Sequence, residues 1–356
     1  MNWVKKRKLL ATEAIKYDGS PCLSPKSLWN ALHNSFNTAL HRQVDLVILN
    51  EVERKPCQVW DLFSKFEFLS VILKCSDSSA PGPNKMSWQH WKIIIKNDEC
   101  LSKIINIANA CINLGHWPKY FKSSTTVVIP KPNKTAYDNP KAFQPIVLLN
   151  TLGKLVEKVI AERLQFLVAS NNFVHPSQLG GLKFKSTSDV GIALTHIIRA
   201  GWSKGRSTST LAFDISQFFP SLNHQLLVLI LEKVGIDSKA MRFFANYLTQ
   251  RSTKYLWNDL LSPLFEVNVG VGQGSALSPI LFSLYLSPLL YIIEKRLKNL
   301  NLPISILSFI DDGLFIAQNK SFSTSNSHLF CSYNILSNLL NSFGLIIEHS
   351  KTDVPL

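Results

Sequence analysis

Residues 304–317, ISILSFIDDGLFIA, set two short apolar runs, Ile304–Phe309 and Leu314–Ala317, on either side of Ile310-Asp311-Asp312-Gly313. Asp-Gly is a favoured turn pair, so the stretch predicts a β-hairpin with acids at its tip. A carboxylate between apolar flanks is costly to desolvate unless it is paired or binds a cation. A third acid, Asp214, ends the run TSTLAFDI (Thr208–Ile215), which reads as a strand because it is rich in β-branched and apolar residues. Asp214 reads equally as a helix N-cap, since Ser216 and Gln217 follow it. Taken together the three acids suit a pair of divalent ions held about 3.5–4 Å apart, the arrangement that serves phosphoryl and nucleotidyl transfer. Mg²⁺ prefers hard oxygen ligands and takes one or two carboxylates, with phosphates and water completing its shell. Asp214 and Asp311 are 97 residues apart, so only tertiary folding brings them together.

Outward from the hairpin, helices and strands alternate irregularly, which predicts an α+β chain rather than a doubly wound sheet. Thr125–Pro130 (TTVVIP) is a β-rich run ending in the basic turn Lys131-Pro132-Asn133-Lys134. Apolar residues recur at helical spacing through Trp88–Leu114, and helices are expected over Leu152–Ala169, Ser188–Trp202 and Asn223–Val234. Residues 1–62 read as helical pieces with a break at Asp18-Gly19-Ser20-Pro21, and Ser76–Asn84 as a loop. Val267 to Ile293 carries no charge and is long enough to span a bilayer. Its Gly270, Gly272, Gly274, Pro279 and Pro288 make it a buried loop followed by an apolar helix instead, so no membrane is expected among the partners.

With 356 residues, 46% of them hydrophobic, the chain can bury a sizeable core, which excludes a mostly disordered protein and predicts about two domains. The formal charge is +14, and it is unevenly spread. Residues 74–205 hold 17 basic groups against 7 acidic, whereas residues 1–73 hold 10 and 7, and residues 206–356 hold 11 and 10. An excess of this kind asks for a polyanionic partner. Cys22, Cys57, Cys75, Cys100, Cys111 and Cys331 form no C-x-x-C pair and have no His at ligand spacing, which argues against a zinc module and for a reducing compartment. Met1–Lys16 has no apolar run long enough for a signal peptide, so the nucleus or cytoplasm is expected rather than secretion. Its Lys5-Lys6-Arg7-Lys8 is a solvated charge run or a nuclear address.

In order along the chain, a series of blocks resembles the reverse transcriptase domain of non-LTR retrotransposons, most of all fungal, LINE-like ones. The series opens with Ala80-Pro81-Gly82-Pro83-Asn84, then Trp117-Pro118 and Val127-Val128-Ile129-Pro130-Lys131-Pro132. Phe143-Gln144-Pro145-Ile146-Val147-Leu148-Leu149-Asn150 runs on into Lys154, Glu157, Lys158 and Arg163-Leu164. Gln178-Leu179-Gly180-Gly181 follows with Ser186-Thr187, and then Phe213-Asp214-Ile215-Ser216-Gln217-Phe218-Phe219. Gln273-Gly274-Ser275-Ala276-Leu277-Ser278-Pro279, Phe309-Ile310-Asp311-Asp312, and Gly344-Leu345 with Lys351-Thr352 complete it. The resemblance spans roughly residues 65–353, and its weight lies in the order of the blocks.

The resemblance implies a right-hand polymerase in α+β form, with fingers and an antiparallel palm sheet, that makes DNA on an RNA template from a DNA primer and dNTPs. It implies a helical extension or linker over 1–62, fingers over 63–205 and a palm over 206–353. Two Mg²⁺ ions, replaceable by Mn²⁺, would be held by Asp214 and Asp311 with support from Asp312. The dNTP would meet Lys131, Gln144, Phe219, Gln273, Gly274 and Lys351, Phe219 excluding a 2′-hydroxyl. Gln178, Gly180, Gly181, Lys183 and Lys185 would lie along the nucleic acid. Gln144 departs from the family, which usually has Arg there. The chain also stops at Leu356, just after the last palm block, which implies a copy truncated before the thumb. Two further readings share the fold. One is a decayed fragment that binds nucleic acid without extending a primer; the other is a group II intron-type maturase, ranked last because no maturase segment follows.

Overall fold

The computed structural model describes residues 15–349 and Thr352; Lys5–Lys8 and Lys351 lie outside the described residues. Asp18 and Gly19, both at positive φ, turn the chain between β1 (Lys16–Tyr17) and β2 (Ser20–Pro21). Ser24 caps α1 (Pro25–Phe36) by accepting from the Ser27 N–H. Helices α2 (Lys65–Ile72), α3 (Trp88–Ile94), α4 (Asp98–Leu114) and α5 (Lys119–Lys122) then lead into β3 (Ser123–Pro130) and β4 (Phe143–Leu149). The single helical stretch expected over 88–114 is two helices, because the Asn97 side chain accepts from the Cys100 N–H at 3.0 Å and starts α4 afresh.

Next come α6 (Thr151–Asn171), α7 (Thr187–Trp202), β5 (Ser207–Asp214), α8 (Phe218–Ser221), α9 (His224–Lys233) and α10 (Ser238–Leu248). Strands β6 (Arg251–Trp257), β7 (Leu260–Leu261) and β8 (Phe265–Val267) follow. The chain continues through α11 (Ser278–Asn299), β9 (Ile304–Phe309), β10 (Asp312–Asn319) and α12 (Phe322–Ser342). The uncharged stretch from Val267 is a loop up to Leu277 followed by α11, which is buried on nearly every side, as a core helix should be. Among the described residues no helix is long and apolar enough to cross a membrane.

The chain forms two compact units, each from separate segments. The first takes the described residues up to Thr38, with Asp61–Val159 and Arg242–Ala276; the second takes Ala39–Trp60, Ile160–Met241 and the chain from Leu277 onward. These bounds differ from those expected at 62 and 205. Parallel pairing of β6 with β3 draws residues 242–276 into the first unit, while α7 packs on β5 and β9 and stays with the second.

In the first unit the sheet runs β4-β3-β6-β7, with β8 also on β6. Trp29, Leu32 and Phe36 of α1 pack there against Val128, Phe143 and Tyr255. Thr126 and Thr253, buried on adjacent strands, satisfy each other's hydroxyls at 2.7 Å. In the second unit the sheet is β5-β10-β9, antiparallel throughout, and α12 packs on all three strands. That sheet carries the acids.

Candidate active site

β5 ends at Asp214, and the β9–β10 hairpin turns at Ile310-Asp311. The register sets Asp312 directly across from Asp214 on one side and from Phe309 on the other. One rung further out, the Ile215 N–H donates to the Asp311 carbonyl at 3.0 Å. Because rungs alternate, Asp214 and Asp312 form a non-hydrogen-bonded pair, where facing side chains stand closest. Asp214 is 8% exposed, Asp311 half-buried and Asp312 exposed, so the cluster grades from core to surface. The expected meeting of Asp214 with the acidic hairpin tip is therefore present, and Asp214 belongs to the strand rather than to a helix cap.

The turn is not relaxed. Ile310 has φ 55°, a left-handed conformation that a β-branched residue rarely adopts. Gln178 holds it there. The Gln178 Oε1 accepts from the Ile310 N–H at 3.2 Å and from the Gly180 N–H at 2.8 Å, while its Nε2 donates to the Ser308 Oγ at 3.3 Å. Backbone bonds from Leu179 N–H to the Ser308 carbonyl and from Ser308 N–H to the Ser177 carbonyl, both 2.8 Å, clamp the same segment to β9. A Cβ at Gly180 would come within 2.2 Å of the Ile310 nitrogen, so only glycine lets the two backbones meet.

His175 anchors this segment from behind. Its Nδ1 accepts from the Ser177 N–H at 3.2 Å, which leaves Nε2–H to donate to Glu294 at 3.0 Å. Burial holds the imidazole pKa down against the pull of that carboxylate.

Gln178 is thus placed differently from the expectation. At 1% exposure, with its amide engaged inside the unit, it positions the acidic turn and does not present itself to a nucleic acid. Gly180 is likewise buried. Lys183 pairs with Glu162, and Lys185 is exposed on the loop before α7.

Phe218, not Phe219, is the core aromatic of the Asp214 block. Gln217, at φ 46°, turns the chain so that Phe218 is buried against Phe282, and Phe219 stays half-buried with its ring 5.3 Å from that of Phe282. Beyond Asp214, residues 346–348 continue the pairing: Ser216 N–H donates to the Ile346 carbonyl and Glu348 N–H to the Asp214 carbonyl, both at 2.8 Å. Glu348 Oε2 accepts from the Ser216 Oγ at 3.1 Å, which adds an acid that sequence reasoning missed. Its only signal was an acid inside the Gly344–Thr352 block.

The first unit brings together three of the expected nucleotide contacts. Gln144 Nε2 donates to Gln273 Oε1 at 3.3 Å, and the Val147 N–H donates to the Gln273 carbonyl at 2.7 Å. Gly274 has φ 128°, and a Cβ there would lie 2.4 Å from the Val147 oxygen, so glycine is obligatory on both counts. Lys131, just past β3, is tied by its N–H to the Ala142 carbonyl at 2.9 Å.

Among the described residues, no group of three or more His, Cys, Asp or Glu side chains is placed to hold a metal ion. The facing carboxylates are nonetheless hard donors in the small number that Mg²⁺ asks of a protein when phosphates supply the rest.

The same residues fall within a family match. Residues 129–355 match the model of the reverse transcriptases (RNA-dependent DNA polymerases), more than half of the chain. This protein belongs to that family. Its curated relatives include the Pol polyprotein of the type-1 retrotransposable element R2 of Popillia japonica, 24% identical over 58% of this chain and 29% of the relative. The RNA-directed DNA polymerase of the mobile element jockey of Drosophila melanogaster is 24% identical over 74% of this chain and 28% of the relative. For the R1 element Pol polyprotein of Bradysia coprophila the figures are 23%, 87% and 29%. The chain thus spans less than a third of the length of these relatives. A solved telomerase from Candida tropicalis aligns over 66% of this chain and 50% of its own at 17% identity, with a TM-score of 0.47.

Replacing Gln178 by Leu strips the acceptor from the buried Gly180 N–H, at about 1–3 kcal/mol, and from the half-buried Ile310 N–H. Urea denaturation should show that loss. A variant of unchanged stability with weakened RNA binding would return Gln178 to the nucleic-acid surface.

Proposed function

We propose that this chain is the polymerase portion of a non-LTR mobile-element reverse transcriptase. It extends the 3′-hydroxyl of a DNA primer with dNTPs along an RNA template. The observation that carries the reading is the rung that sets Asp312 against Asp214 beside Asp311. Like charges directly opposite one another destabilise a sheet, and bound cations reverse that penalty. In this reading the second unit acts as the palm.

Asp214 and Asp311 would hold two Mg²⁺ ions, with Mn²⁺ able to replace them, and Asp312 would support the pair. Such ions, when bound, lower the pKa of the attacking hydroxyl and stabilise the charge that develops on the transferring phosphoryl group. The 3′-oxygen attacks the α-phosphorus, its proton departs and pyrophosphate leaves.

The remaining residues orient the substrates. Phe219 excludes a ribose 2′-hydroxyl. Gln273 and Gly274 lie under the incoming base pair, and Lys131 and Lys351 meet the triphosphate as point charges. Lys183 and Lys185, with the basic excess of residues 74–205, meet the template backbone through salt-dependent phosphate contacts. An intracellular, reducing setting accompanies this reading.

Primer extension on an RNA template with the purified chain tests it. Extension is expected with Mg²⁺, should stop on chelation and return on Mg²⁺ addition, and should fall at least about a thousandfold in Asp311→Ala. No extension, or extension indifferent to that substitution, sinks the proposal. A separate assay addresses position 144: Gln144→Arg adds a charge-assisted donor and should lower the KM for dNTP about tenfold. An unchanged KM would remove position 144 from the nucleotide site.

A further inference from the structure

The first unit buries an acid for which the metal site has no use. Glu157, on α6, is 2% exposed. Its Oε2 accepts from the Ser275 Oγ at 2.7 Å and from the Ala276 N–H at 3.1 Å, and its Oε1 accepts from the Tyr247 hydroxyl at 3.1 Å. The Tyr247 and Ser275 hydroxyl oxygens lie 3.0 Å apart, so the four groups form one network. Burial pushes the Glu157 carboxyl above the ordinary carboxylate range, while its hydrogen bonds and the nearby Lys154 pull it back.

A buried cation works on the other end of the same segment. Arg251, the first residue of β6, donates from Nη2 to the Val269 carbonyl at 3.1 Å and to the Gly270 carbonyl at 2.5 Å. Burial lowers its pKa, and the nearby Glu157 carboxylate opposes that shift. The loop from Val269 to Ala276 is therefore tied to Arg251 where it enters and to Glu157 where it leaves. Between the ties sits Gln273, whose carbonyl accepts from the Val147 N–H. A loop fastened to buried side chains at both ends has little freedom to move its middle, and ordering it in advance lowers the entropy lost when a ligand binds.

We infer that Glu157 and Arg251 are positioning residues for the Gln273-Gly274 loop, and that the pair sets the affinity for the incoming nucleotide without touching it. The role rests on the polymerase reading. Taking either charge out of water is costly, so each must be held by the groups around it. A neutral packing role would need neither charge, so the two roles make different predictions.

Glu157→Ala should raise the KM for dNTP about tenfold, with kcat within about threefold and primer–template affinity unchanged. Glu157→Gln, which keeps the shape and one acceptor, should recover part of that loss. Combining Glu157→Gln with Arg251→Met should do less harm than the two single losses predict, because both residues fasten the same loop and its ordering is lost only once. Hydrogen exchange on the full chain gives a readout that does not need activity. The Val147 and Ser275 amides should exchange at least about tenfold faster in Glu157→Ala and in Glu157→Gln, while β5, β9 and β10 keep their protection. Unchanged exchange at those two amides overturns the positioning role, as does a fall in kcat and in primer–template affinity together with KM. If the native chain extends no primer, the polymerase reading fails by itself, and the exchange result still decides whether the loop depends on Glu157.

Discussion

Two carboxylates forced onto one rung of an antiparallel sheet are the constraint around which the second unit is built. Like charges directly opposite one another on a sheet repel and are destabilising. The fold tolerates this because β5 and β10 stay paired from Asp312↔Asp214 down to Asn319↔Ser207, with Phe213 and Phe315 packed on each other at 5.1 Å between ring centroids. The strained Ile310 turn adds a second unfavourable term, which Gln178 and the 177–180 segment offset by hydrogen bonding. In the polymerase reading, repulsion and strain at the edge of a well-packed sheet are what cation ligands would relieve.

The first unit handles buried charge in the opposite manner. Glu157 accepts from three donors, and Arg251 donates from Nη2 to two carbonyls, so both buried charges are engaged inside the protein. One unit sets acids facing one another at a sheet end; the other fastens the two ends of a loop with a buried cation and a buried acid. In the polymerase reading, the same physical cost of desolvation serves a ligand site in one place and a loop support in the other.

How much of this was legible in the sequence depended on whether local pattern and tertiary packing agreed. The acidic hairpin, β5, α6 and α7 were readable, since apolar runs and turn residues fell where the structure needed them. α12 (FSTSNSHLFCSYNILSNLLNS) was not, because its many Ser and Asn residues have poor helix propensity. Burial of Leu329, Leu336, Leu339 and Leu340 against the sheet overrides that preference. β6 (RSTKYLW) lacks a clean alternation and gains its strand character from pairing with β3, more than 100 residues away. Gln178 shows the corresponding limit for site residues. A glutamine beside glycines and lysines reads as a surface contact, and only the packing of Gly180 on Ile310 reveals that it faces inward. The family resemblance found the right block but could not tell a residue that touches nucleic acid from one that holds the turn.

In the basic middle third, Asp77 pairs with Lys92, Asp98 with Lys65, Glu99 with Lys103, Asp138 with Lys16 and Glu162 with Lys183. Asp189 accepts from the Ser186 N–H and hydroxyl ahead of α7, and Glu157 is enclosed in the loop network. Every acid of that region therefore has a local partner, yet 17 basic groups against 7 acidic ones leave the field strongly positive. Exposed ion pairs of this kind contribute little stability, so stability alone is a weak reason for carrying so many lysines. A phosphate backbone is a better one, because each neutralised phosphate releases a counterion. The acids at 214, 311 and 312 belong to a nearly neutral stretch of 11 basic and 10 acidic groups. Attraction of a polyanion and coordination of cations have opposite electrostatic requirements, and in the polymerase reading this chain would meet them by assigning each to a different part of its sequence.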